Sequence, residues 1–159
     1  MFSNKNFAKF NNFQILLLFF KKVPIRLKIN RELMSRNKIC SIVTGAAGFL
    51  GSHVVDLLLK NNHRVIAIDN EATGSWDNLA HWGDNPLLIK HNLDITKIDS
   101  QNPLFQNIDY VFHLAALECH LTSIQSPEMF FETNVQGTLK VLQASLRSNI
   151  KAIIHASSS

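Results

Sequence analysis

The sequence predicts an α/β fold, a parallel sheet doubly wound with helices, from three observations. Strand-like and helix-like apolar patterns alternate from residue 39 onward. A glycine triplet separates the first strand-like run from the first helix-like run, and the second strand-like run ends on an acid, Asp69. At 159 residues the chain has the length of one ordinary domain. Its apolar share of 46% and charged share of 18% are those of a chain that buries a core, which sets it apart from disordered sequences.

Residues 39–43 form a short apolar, β-branched run suited to a buried parallel strand. Residues 49–61 follow as a helix, with Leu50, Val54, Leu57 and Leu58 at helical spacing and Asn61-Asn62 as the stop. Residues 64–69 (R-V-I-A-I-D) read as the second strand, which completes a βαβ unit. Further strands are expected at 87–91, 110–114 and 151–155. A long helix is expected to start at Ser126-Pro127, with serine as N-cap and proline in the first turn. Its apolar face runs through Phe130, Val135, Leu139, Leu142 and Leu146.

Residues 1–36 differ from the rest. They hold six of the eleven phenylalanines and eight Lys or Arg against Glu32 alone, so they account for more than the whole net charge of +4. The remainder is mildly acidic, which argues against binding to nucleic acid. The apolar run 15–20 is far shorter than the ~20 residues that cross a bilayer. Lys21 and Lys22 follow it directly with no small-residue cleavage site, so it does not read as a secretory signal. A start at Met34 would place the first strand a few residues in; residues 1–36 are expected to be a non-core basic leader and 37–159 the folded domain. Cys40 and Cys119 lack the number for a disulfide framework and the spacing for a metal site, and both are expected to be small buried side chains in a reducing cytoplasm.

The glycine triplet Gly45, Gly48 and Gly51 stands where a phosphate loop lies in a βαβ unit. Gly45 suits a tight turn, Gly48 a close approach of backbone to a pyrophosphate, and Gly51 close packing of helix on strand. Amides at the helix start, Phe49 and Leu50 among them, would meet the negative charge. Asp69, 18 residues after Gly51, would accept from the adenosine ribose hydroxyls and repel a 2′-phosphate, which points to NAD over NADP. The alternative reading of Asp69 is a strand-end acid that caps a loop.

The octet Thr44-Gly45-Ala46-Ala47-Gly48-Phe49-Leu50-Gly51 is followed in unbroken order by Asp69-Asn70 with Thr73-Gly74, Asn92-Leu93-Asp94-Ile95-Thr96 and Val111-Phe112-His113-Leu114-Ala115-Ala116. Then come Ser126-Pro127, Asn134-Val135-Gln136-Gly137-Thr138 and Ala156-Ser157-Ser158-Ser159. Together these resemble the extended short-chain dehydrogenase/reductase family, NAD-dependent epimerases and dehydratases similar to UDP-glucose 4-epimerases, over its N-terminal part only. The resemblance implies a Rossmann fold truncated after the fifth strand. It also implies cofactor contacts from Asn70, from Asp94 and Ile95 at the adenine, from Leu114, Ala115 and Ala116 near the nicotinamide ribose and pyrophosphate, and from Asn134 as a holder of nearby backbone. Asp94 as a helix cap and Asn134 as a buried structural amide stay open.

In that family a tyrosine with a neighbouring lysine takes a sugar hydroxyl proton while hydride moves to nicotinamide, and a serine orients the hydroxyl. Ser159 holds the serine position by this resemblance. Tyr110, the single tyrosine, has leucine four residues on and cannot stand in. His113 and His155 read as satisfied core histidines rather than bases. Glu71 and Glu118 depart from the family pattern, and an acid at either place would weaken pyrophosphate attraction slightly if exposed.

The resemblance therefore implies a partial nucleotide-sugar epimerase, dehydratase or decarboxylase that takes a UDP-sugar, is homodimeric at full length, cytoplasmic, metal-free and independent of membrane or nucleic acid. A 159-residue chain without the tyrosine and lysine is expected to be inactive alone. The competing reading is a non-catalytic NAD-binding module, or an inactive fragment of an interrupted reading frame.

Overall fold

A computed structural model describes residues 38–157, so the expectations for the leader 1–36 and for Ser158 and Ser159 lie outside the described residues. Five parallel strands form one sheet in the order β3-β2-β1-β4-β5. They are β1 (Cys40–Thr44), β2 (Arg64–Asp69), β3 (Leu88–Asn92), β4 (Tyr110–His113) and β5 (Ala152–His155). β1 pairs with β2 on one side and β4 on the other, with Ile42 opposite both Ile66 and Val111. All five residues of β1 are buried, which explains its apolar composition without alternation.

Helix α1 (Phe49–Lys60) follows β1, and its core face is Gly51, Ser52, Val54, Val55, Leu58 and Leu59. Of the expected apolar positions, Val54 and Leu58 face in, whereas Leu50 and Leu57 are exposed. After β4 come α2 (His120–Gln125), α3 (Pro127–Phe131), a π-helical turn over Glu132–Gly137, and α4 (Thr138–Arg147). The single long helix expected from Ser126 is thus interrupted by a widened turn. Ser126 stands at the cap position of α3, but its side chain makes no cap bond there.

The buried face of this segment is not the expected one. Gly137, Val141, Ala144 and Ser145 are buried. The expected apolar stripe faces outward instead: Val135 is 52% exposed, Leu139 53% and Leu146 80%. Small residues win the inner face because the helix lies close to its neighbours. A Cβ on Gly137 would stand 2.6 Å from Ile95 Cδ1. Among the described residues no helix is long and apolar enough to cross a membrane.

Candidate cofactor-binding site

The C-terminal ends of the parallel strands gather the predicted residues on one edge, as the crevice rule for open α/β sheets requires. Gly45 follows β1 with φ +70, a left-handed conformation that favours glycine, and a Cβ there would meet Ala115 N at 2.7 Å. Gly51 has a stronger requirement. A Cβ there would lie 1.9 Å from the Gly45 carbonyl oxygen, so the first turn of α1 rests directly on the loop. Gly48 is less constrained from within, since its Cβ would meet only the Gly45 oxygen, at 3.3 Å.

Three loop amides are spent inside the protein. Ala46 N donates to Ile68 O at 3.3 Å, Ala47 N to Asp69 Oδ2 at 2.9 Å and Gly48 N to Gly45 O at 3.2 Å. No side chain caps the N-terminus of α1, and its first turn lacks intrahelical acceptors for its earliest amides. The amides of Phe49 and Leu50 therefore remain for an anion, with the positive end of the helix dipole behind them.

Asp69 is almost fully buried at the end of β2. Besides Ala47 N, its carboxylate accepts Glu71 N at 2.7 Å. Asp69 thus caps the loop, as one of its two readings expected, from a position at the C-terminal edge of the sheet. Glu71, flagged in the sequence as a departure, adopts φ +56 and accepts Trp76 N at 3.1 Å, so it shapes the exit from β2.

Asp94 does cap a short 3₁₀ turn, Ile95–Lys97, by accepting Thr96 N at 2.8 Å, and it also accepts Asn70 Nδ2 at 3.1 Å. Partial burial opposes its charge, but the bonds from Thr96 and Asn70 and the nearby Lys97 outweigh this and hold the carboxyl below its usual range. Ile95 beside it is buried in the core cluster.

Asn134 lies within the π-helical turn. Its Oδ1 accepts Leu117 N and its Nδ2 donates to Leu117 O, each at 2.8 Å. This two-point clamp fixes the far end of the loop 114–117. The near end is held by Thr44 Oγ1, which accepts the amides of Leu114 and Ala115 at 3.3 and 3.4 Å. Thr44 Oγ1 is also hydrogen-bonded to His113 Nδ1 at 2.7 Å, and His113 Nε2 to Thr138 Oγ1 at 2.9 Å. Burial, reinforced by neighbouring His155, lowers the His113 pKa to about 4. Thr44, His113 and Thr138 thus form a supporting chain that the sequence did not reveal. Its members lie 69 and 25 residues apart, and only the T-G dipeptide and the strand-end histidine hinted at it.

Leu114, Ala115, Ala116 and Asn134 line a cleft of about 210 Å³ together with Ser157. A larger hollow, about 630 Å³, lies among residues 100–102, 106–107 and 147–149 at the opposite, N-terminal edge of the sheet, away from the glycine loop. Tyr110 also begins its strand at that opposite edge, pairing with Ser41 and Ala152, which agrees with its exclusion as a base. Two expectations fail. His155 is exposed, stacking on His113 with ring centroids 5.1 Å apart, because β5 is the edge strand. Cys119 is exposed as well, since it lies in the loop after β4, whereas Cys40 is buried in β1.

The family model for the NAD dependent epimerase/dehydratase family matches residues 41–159. The chain belongs to that family. Family members include UDP-glucuronic acid decarboxylase 6 of Arabidopsis thaliana, 37% identical over 139 residues, which are 86% of this chain and 38% of that protein. Among solved structures, UDP-N-acetylglucosamine 4-epimerase from Methanobrevibacter ruminantium superposes with a TM-score of 0.71 at 35% identity, covering 78% of this chain and 39% of that one. A dTDP-glucose 4,6-dehydratase from Streptomyces venezuelae, solved with NAD bound, superposes with a TM-score of 0.68 at 32% identity, covering 74% and 38%. The chain spans somewhat more than a third of the length of these relatives. The family's cofactor is NAD, and the residues at the sheet edge fit it. The tightly packed Gly45 and Gly51, the uncapped amides of α1 and the carboxylate of Asp69 stand together at this edge, a donor set and an acceptor whose chemistry suits a dinucleotide.

Proposed function

We propose that these residues are the NAD-binding part of an enzyme that oxidises a nucleotide sugar, a UDP-sugar in particular, to a transient keto intermediate and thereby epimerises, dehydrates or decarboxylates it. The observation that carries this reading is the pairing of the uncapped α1 N-terminus with buried Asp69 at one sheet edge. NAD supplies the hydride acceptor. In this reading the Phe49 and Leu50 amides and Gly48 face the pyrophosphate. Asp69 and Asn70 meet the adenosine ribose, while Asp94 and Ile95 meet the adenine. Leu114, Ala115 and Ala116 border the nicotinamide ribose, and Asn134 holds that loop.

Ser159 is assigned to orient the sugar hydroxyl on the family resemblance alone. Tyr110 begins its strand at the opposite edge, away from the glycine loop, and the chain by itself is read as a cofactor-binding part that is inactive alone. Residues 1–36 are read as a leader outside the domain, and the protein as cytoplasmic. The outward stripe of Val135, Leu139 and Leu146 supports a homodimer, because an apolar surface of this kind favours association.

The test is cofactor choice. The chain is expected to bind NAD at least about tenfold more tightly than NADP, because a like-charge juxtaposition at Asp69 costs more than the ~1.4 kcal/mol that a factor of ten represents. Asp69→Ala is expected to weaken NAD itself by about tenfold rather than merely relax the preference. It also removes the acceptor for two loop amides. Titration calorimetry showing equal affinity of the unaltered chain for both cofactors would contradict the assignment.

A further inference from the structure

The glycine loop is held from its far side by a segment with no assigned role. The Ala47 carbonyl accepts Ser75 N at 3.0 Å and Asn78 Nδ2 at 2.8 Å, while the Ala47 amide is tied to Asp69. Gly74 lies directly on this peptide. A Cβ on it would stand 2.6 Å from the Ala47 carbonyl and 2.7 Å from Gly48 N. The segment is itself anchored: Ser75 Oγ accepts Asp77 N at the start of the 3₁₀ turn Trp76–Trp82, Leu79 is fully buried, and Trp82 Nε1 donates to Asp56 Oδ1 of α1 at 2.6 Å.

The joint between Ala47 and the free amides of Phe49 and Leu50 is Gly48, the least constrained of the loop's three glycines, whose would-be Cβ meets only the Gly45 oxygen at 3.3 Å. A loop hinged there needs an outside hold to keep its next two amides aimed at one point. We infer that Asn78 is a positioning residue for the pyrophosphate-binding loop, fixing the Ala47 peptide so that the Phe49 and Leu50 amides converge on the phosphates. The inference rests on the NAD reading of this loop.

It predicts a loss that follows the pyrophosphate. On the 159-residue chain, ligand-detected NMR titrations with NAD, ADP-ribose and adenosine are to be compared for the unaltered protein, Asn78→Ala and Asn78→Asp. Losing one hydrogen bond to the loop is expected to weaken NAD and ADP-ribose about three- to tenfold and adenosine less than about twofold. Asn78→Asp keeps the shape of the side chain but sets a carboxylate oxygen against the Ala47 carbonyl, so it is expected to lose at least as much. Thermal melts of both variants check that the fold is retained.

Unchanged ADP-ribose affinity in both folded variants would overturn the inference. So would equal losses for adenosine and ADP-ribose, which mark a merely structural effect. If the unaltered chain binds neither NAD nor ADP-ribose, the NAD reading of the loop fails first and takes the inference with it.

Discussion

Gly51→Ala is expected to abolish NAD binding and to destabilise the domain by about 3 kcal/mol or more, the upper end for forcing a methyl into packed structure. The new Cβ would fall 1.9 Å from the Gly45 carbonyl oxygen, 2.7 Å from its carbon and 2.9 Å from Ala46 Cα. All three are backbone atoms, so no rotamer change relieves the overlap. Either α1 moves off β1 or the loop reshapes, and both displace the amides of Phe49 and Leu50. Gly83→Ala is the control. Gly83 has φ +48 and ψ −131 but nothing within 4 Å of its would-be Cβ, so only backbone strain of about 1–3 kcal/mol is expected. Urea denaturation together with NAD titration of both variants checks the contrast, and a native-like Gly51→Ala that binds NAD would show that helix and loop do not meet as described.

The second large effect is one of pH. His113 has its folded pKa lowered to about 4, by burial first and by His155 second, against an unfolded value near 6.5. Between those values the unfolded chain binds the extra proton, so stability falls as pH falls. The contribution is complete above about pH 6.5, is lost progressively toward pH 4, and amounts to about 3 kcal/mol. Protonation would also place a charge within the buried Thr44–His113–Thr138 chain that supports Leu114 and Ala115. Burial lowers the pKa of His63 too, so the two histidines act in the same direction. Subtracting the pH profile of His113→Asn from that of the unaltered chain isolates the first. Parallel profiles from pH 7 to pH 4 would mean that His113 is not buried neutral.

The sheet was legible because its signals are local. Buried parallel strands announce themselves as apolar runs such as R-V-I-A-I-D, and their order follows from right-handed crossovers. The turn at Gly45 and the packing of Gly51 were legible for the same reason: three glycines at fixed offsets leave few backbone paths. What escaped was whatever depends on partners distant in sequence. Capping by Asp69 and Asp94 and backbone holding by Asn134 were open readings, but their partners, Ala47 for Asp69, Asn70 for Asp94 and Leu117 for Asn134, are facts of tertiary placement. The outer stripe of α4 misled because an apolar stripe does not show which face packs on the sheet; here Val135 and Leu139 face outward, and Gly137 and Val141 face in. His155 and Cys119 were misplaced because apolar neighbours in sequence do not show whether a strand is at the edge or a loop is covered.

The central claim is that NAD is held at the C-terminal edge of this sheet. Backbone amide shifts of the isotope-labelled chain, followed during titration with ADP-ribose, test it most directly. The account predicts the largest changes at Phe49, Leu50, Asp69, Asn70, Asp94, Ile95 and residues 114–116. Changes confined to residues 100–102, 106–107 and 147–149, which line the larger hollow at the opposite edge, would contradict it.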